Sequence, residues 1–175
     1  MDILGQSNKI NNFEENLAFS HNAGEEPFWD AVYKKAFPDM ENHMLCTKKC
    51  QGQYLGIDRI IQLTSGKTVY IDEKKRQTEY SDILLEYISN DKTGSAGWME
   101  KELQIDFLAY AFMKSQRVYL FPWLILRRVW KRFGNEWKSK YHLPPARNAH
   151  YNTLNVAVPT KELLDCVKNA MIIQL

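Results

Sequence analysis

The sequence predicts an α/β domain built on a mixed central sheet flanked by helices, and three observations carry that reading. A helical run with one aromatic face begins near Glu26. Two strand-like runs follow, joined by a short glycine-bearing turn. Beyond them, segments with strand-like and helical spacing alternate along the rest of the chain.

The first helix starts at Glu26. Glu25 and Glu26 complement the positive end of a helix, and Pro27 suits its first turn. Phe28, Trp29, Val32 and Ala36 then recur at helical spacing until Pro38 stops the run. The hairpin reads as strands over 54–63 and 67–75, with Thr64, Ser65 and Gly66 as the connection. A third strand is expected over 82–89, where an apolar run suits burial on both faces. Residues 98–113 read as a second helix, because Leu103, Phe107 and Tyr110 share one side and Ile105, Ala109 and Phe112 another. A fourth strand over 117–123 leads into an amphipathic helix over 124–140. There Val129, Trp130, Phe133 and Trp137 oppose Arg127, Arg128, Lys131, Arg132 and Lys138. A short strand over 154–158 and a last helix capped by Thr160 follow.

Hydrophobic residues make up 45% of the 175 residues, enough for one core, so 23–175 is read as one domain behind a mobile arm over 1–22. That arm is polar and acidic, without the basic-then-apolar order of a secretion signal, and the apolar run over 119–126 is too short to span a bilayer. A cytoplasmic location without membrane association is therefore expected. Cys46, Cys50 and Cys166 give an odd count without a disulfide framework and are read as plain thiols in a reducing compartment. His43, Cys46 and Cys50 lack a further ligand pair at finger-like spacing, so no zinc is assigned. The net charge of +2 hides an asymmetry. The first forty or so residues are acidic, whereas residues 114–147 hold many Lys and Arg and a single acid, Glu136, which suits either a solvated helix face or an anionic partner.

The chemistry concentrates in the hairpin. Its first strand carries Gly56-Ile57-Asp58-Arg59 and its second Val69-Tyr70-Ile71-Asp72-Glu73-Lys74-Lys75-Arg76. Side chains two apart on a strand share a face, so Asp72 and Lys74 project together, and the turn folds Asp58 back beside them. Two carboxylates at one rim attract a hard divalent cation, Mg²⁺ above all. Glu73 and Lys75 form a competing acid-x-Lys pair on the opposite face. The three apolar residues directly before Asp72 favour the first choice.

These residues resemble the PD-(D/E)xK nuclease superfamily over about 26–123. The resemblance implies a restriction-endonuclease-like αβββαβ core and Mg²⁺-dependent hydrolysis of DNA, with Mn²⁺ as a substitute. Asp58 and Asp72 would then hold the metal together with the Glu73 backbone carbonyl, and Lys74 would assist the attacking water. A further acid from the first helix, Glu26 or else Asp30, is expected at the same site. The Gln and Tyr three residues apart that mark some branches are absent, since Gln104 has no tyrosine at that spacing. A homodimer is a further expectation from the resemblance.

Lys75, Arg76, Lys101 and the helix cations Arg127, Arg128, Lys131 and Arg132 are the candidate DNA-backbone contacts. Trp98 reads equally as a stacking residue or as core. Two other classes compete with the nuclease: a catalytically inactive nuclease-fold protein that binds nucleic acid or serves assembly, and a membrane-surface or protein-partner module that uses the helix around Trp130.

Overall fold

The computed structural model describes residues 26–46 and 55–175. The expected arm over 1–22, Cys50 and the start of the hairpin at Tyr54 lie outside the described residues. The chain is a mixed α/β fold. Its elements run α1 (Glu26–Ala36), β1 (Met40–Leu45), β2 (Arg59–Leu63), β3 (Thr68–Arg76), β4 (Asp82–Asn90), β5 (Ser95–Ala96), β6 (Phe107–Phe112) and β7 (Arg117–Pro122). They continue with α2 (Trp123–Lys140), β8 (Ala146–Arg147), β9 (Asn152–Pro159), α3 (Thr160–Cys166) and β10 (Met171–Gln174).

A six-stranded sheet has the order β1-β2-β3-β6-β7-β10, and a second sheet the order β5-β4-β9-β8. Only the β3–β6 pair is parallel; the other pairs of the large sheet are antiparallel, so that sheet is mixed. α1 covers one face of it, setting Trp29, Val32 and Tyr33 against Ile61, Ile71, Ala109, Ala111, Val118 and Leu120. The alanines of β6 point toward α1, where small side chains let the helix approach. The intervening Leu108, Tyr110 and Phe112 point the other way. On that side they meet Ile83 and Leu85 of β4, Val156 and Val158 of β9, the apolar stripe of α2, and Leu163 of α3.

Several expectations are corrected. Residues 98–113 do not form a helix. Residues 98–106 make turns and irregular chain, and 107–112 are β6, paired on both sides by β3 and β7. An apolar run buried on both faces satisfies the helical and the strand template alike, and here strand pairing decides between them. The crossover between the parallel strands is thus built from β4, β5 and a loop rather than a helix. β4 is not buried on both faces, because only Ile83 and Leu85 are fully enclosed. Thr160 does not cap α3: Pro159 occupies the cap position, and the Thr160 hydroxyl is buried with no hydrogen-bond partner. Cys46 is not a plain thiol but disulfide-bonded and 3% exposed. Gln104 is exposed. Strands β1 and β10, which the sequence pattern did not reveal, complete the two sides of the large sheet. Among the described residues no helix is long and apolar enough to cross a membrane.

Candidate active site

Asp58 stands immediately before β2 and is fixed through its backbone. Its N–H donates to the Ile71 carbonyl at 2.9 Å, and its carbonyl accepts the Cys46 N–H at 2.7 Å. The hairpin register that pairs Arg59 with Ile71 therefore sets Asp58 beside Asp72. Asp58 Oδ2 accepts the backbone N–H of Glu73 at 2.9 Å. Asp72, 3% exposed, accepts a hydrogen bond from the Lys74 ammonium and lies opposite Asp58 in the strand register. Asp58, Asp72 and Lys74 thus meet on the face of β3 turned away from α1.

The electrostatics of this cluster are those of a crowded anionic site. Burial pushes the Asp72 carboxyl up to about 8; the Lys74 charge opposes the shift, and the Asp58 charge and hydrogen bond add to it. Burial alone would lower the Lys74 ammonium. The charges of Asp72, Asp58 and Glu86 outweigh it and hold Lys74 above its ordinary value. Mg²⁺ is commonly held by one or two carboxylates with water and phosphate filling the remaining positions, so a pair of acids suffices. Asp58 and Asp72 are the carboxyls that could hold such a cation, which would add to the positive charge of Lys74 already bonded to Asp72. Among the described residues no three His, Cys, Asp or Glu side chains converge as a metal-holding group.

The opposite face of β3 holds a separate network. Arg59, 1% exposed, donates to Glu73 Oε1 at 2.8 Å and makes two hydrogen bonds to Glu26, at 2.7 and 3.0 Å. The Tyr33 hydroxyl donates to Glu73 at 2.7 Å, and His43 lies 3.1 Å from Arg59 and 3.3 Å from Asp30. Neither Glu26 nor Asp30 is brought to the Asp58–Asp72–Lys74 cluster. The hydrogen bonds from Arg59 hold the Glu26 carboxyl below its usual range. The Arg59–Glu73 pair had a signal in the sequence. Each residue lies one position beyond Asp58 or Asp72, so alternation places both on the same, opposite face.

The basic candidates divide. Arg76 is bonded to Asp82 at 2.8 Å and stacked over Tyr80. Arg127 donates to the Lys101 carbonyl and to Glu102, each at 2.8 Å, with its guanidinium over Trp123. Lys101, Arg128, Lys131 and Arg132 are exposed. Lys75 alternates onto the face of β3 shared with Glu73. Trp98 belongs to the core. Glu86, which no sequence pattern singled out, lies partly buried in β4, and burial pushes its carboxyl up. Comparison with models of known protein families, with curated proteins and with solved structures found no match.

The raised pKa of Asp72 makes stability fall as pH rises. Between the unfolded value near 3.8 and the folded value of about 8, the native state holds a proton that the unfolded state releases. Stabilisation from that proton is present below the lower value and is lost as pH rises, by at most about 1.4 kcal/mol per pH unit. Urea denaturation of the metal-free protein at several pH values should show this slope, and Asp72→Asn should flatten it. An unchanged slope in the variant would assign it to another group.

Proposed function

We propose that this protein is a metal-dependent DNA endonuclease that hydrolyses phosphodiester bonds, with a restriction-endonuclease-like core formed by α1 and the strands around β3. The observation that carries this reading is the meeting of Asp58, Asp72 and Lys74 on one face of the hairpin. A bound Mg²⁺ supplies charge to polarise a phosphoryl oxygen and lowers the pKa of water. Asp58 and Asp72 would hold it through their carboxylates. Lys74 places a positive charge where negative charge grows on the phosphate oxygens and orients the attacking water by hydrogen bonding. Asp58 also accepts the Glu73 N–H, so its carboxylate is aimed before any ligand arrives. The test is a cleavage assay on linear, nicked, branched and single-stranded DNA with and without Mg²⁺ or Mn²⁺. Binding without cleavage of every substrate would overturn catalysis and leave a nucleic-acid-binding protein.

The exposed cations Arg128, Lys131 and Arg132 on α2 would hold the DNA backbone, which carries affinity without reading sequence. Replacing all three with Gln should weaken binding across unrelated sequences. It should also reduce the log-log salt slope by about one unit for each phosphate no longer neutralised. Titration of labelled DNA at several salt concentrations checks this, and an unchanged slope would make the face ordinary solvated surface. Arg127 is left out because its removal also unties α2 from the loop at Lys101 and Glu102.

A further inference from the structure

α1 covers one face of the sheet at Ile61 and Ile71, and the opposite face of β1, β2 and β3 is open beside the acid pair. Strand register sets the side chains of that face in rows. Asn42, Gln62 and Thr68 form one row, and Met44, Ile60 and Tyr70 the next. Alternation puts both rows on the face that carries Asp58 and Asp72, two residues beyond Ile60 and Tyr70, or about 7 Å along the strands. Five of the six side chains are exposed, and Ile60 is partly buried. Met44 is 57% and Tyr70 37% exposed, so two large apolar groups meet water on either side of Ile60. A hollow of about 170 Å³ opens here, lined by Asn42, His43, Met44, Ile60, Gln62 and Thr68.

None of the six side chains in these rows carries a charge. A duplex is held chiefly through its phosphates, which call for cations, and its bases are stacked and paired with one another. An unpaired strand instead offers base faces to aromatic rings and base edges to amides and hydroxyls. The rows supply both kinds of group. Tyr70 is held from the β6 side, its N–H donating to Asp106 Oδ2 and its carbonyl accepting the Asp106 N–H, each at 2.8 Å. Asn42 Oδ1 accepts the His43 N–H at 2.8 Å, which leaves the amide NH₂ as an outward donor. A strand that reaches Asp58 and Asp72 along the hairpin crosses the Ile60 and Tyr70 row immediately before the acids. Resting on the nuclease reading above, we propose that the open face of β1, β2 and β3 binds the bases of an unpaired DNA strand. One base stacks on Tyr70, others meet Asn42, Gln62 and Thr68 by their edges, and single-stranded DNA is thereby the substrate class of the site.

The test is binding of a labelled single-stranded oligodeoxythymidylate, and of a duplex of the same length, to the full chain in EDTA. Tyr70→Ala should weaken single-strand binding about tenfold, within the range for loss of one stacked base, and leave duplex binding unchanged. Tyr70→Phe keeps the ring and should bind as wild type does. The log-log salt slope should not move in either variant, because no phosphate contact is lost. Equal losses on both DNAs, a reduced slope, or no loss at all each overturns the proposal, as does a Tyr70→Ala change that dissociates a dimer and so assigns this face to a second copy of the chain. If Tyr70→Ala does not fold, photocrosslinking of bromodeoxyuridine-substituted single strand to wild type decides the matter. Crosslinks at Tyr70 or Met44 support the platform, and crosslinks confined to other elements overturn it. Cleavage of duplex DNA with Mg²⁺ by a protein whose single-strand binding ignores Tyr70 sinks the platform alone. Tyr70-dependent binding without cleavage of any DNA sinks the nuclease reading alone.

Discussion

Asp72→Asn is expected to lower Mg²⁺-dependent DNA cleavage by about 10³-fold or more, on the scale of losing a preorganised electrostatic contact to the transition state, while the protein stays folded. Folding is retained for a specific reason. In the metal-free protein Asp72 carries a proton below about pH 8, and Asn copies that neutral state in the same volume. What Asn cannot supply is the anionic oxygen that a cation requires. Asp58→Asn should match it, since the two carboxyls lie against each other, and Lys74→Ala should lose comparable activity with Mg²⁺ binding retained or tightened. Lys75→Ala, on the other face of β3, should keep most activity. Glu73→Gln should lose stability in preference to turnover per folded molecule, because its side chain lies among Arg59 and Tyr33. Single-turnover cleavage beside calorimetry reads all five variants. Inactive but folded Lys75→Ala and Glu73→Gln, with Asp72→Asn and Lys74→Ala active, would move the site to the opposite face of the strand.

Arg59→Met should destabilise the protein by about 3–5 kcal/mol, the usual cost of stranding one half of a buried ion pair. Arg59 is fully enclosed, and the Glu73 side chain facing it is 8% exposed. Burial pushes the Glu73 carboxyl up even with the guanidinium in place, so removing Arg59 forces it to bind a proton or to remain an uncompensated charge. Glu26 contributes less, since its side chain is 42% exposed and can return to water. A second change, Glu73→Gln, should recover part of the loss, because the stranded charge leaves with it. The recovery is read as the non-additive part of a double-mutant cycle in urea. A loss under about 1 kcal/mol for Arg59→Met would place the pair among exposed bridges of little consequence.

The hairpin was legible because strand alternation and a glycine turn are local. The same two rules place Asp58, Asp72 and Lys74 on one face and leave Glu73 on the other. α1 was legible from its aromatic stripe, yet a helical wheel does not say which face of the sheet the helix covers. Glu26 was consequently expected at the carboxylate cluster, whereas the structure pairs it with Arg59. β6 was hidden because Phe107–Phe112 is apolar on every side. β1 was hidden because Met40–Leu45 is half polar without alternation and has no position fully buried.

The parallel β3–β6 pair has a consequence for the order of assembly. Its strands are joined only through residues 77–106, and β7 and β10 only through 123–170, so both pairings close large loops before they gain stability. Such topologies fold on a scale of about milliseconds to seconds, while a hairpin such as β2–β3 forms within about 1–10 µs. In a chain emerging from synthesis, Asp58 and Asp72 would therefore be neighbours long before β4 arrives beside Arg76 and Tyr110. During that interval Asp72 faces water and behaves as an ordinary carboxylate. The altered acidity of Asp72 is acquired late, when the second sheet closes over it.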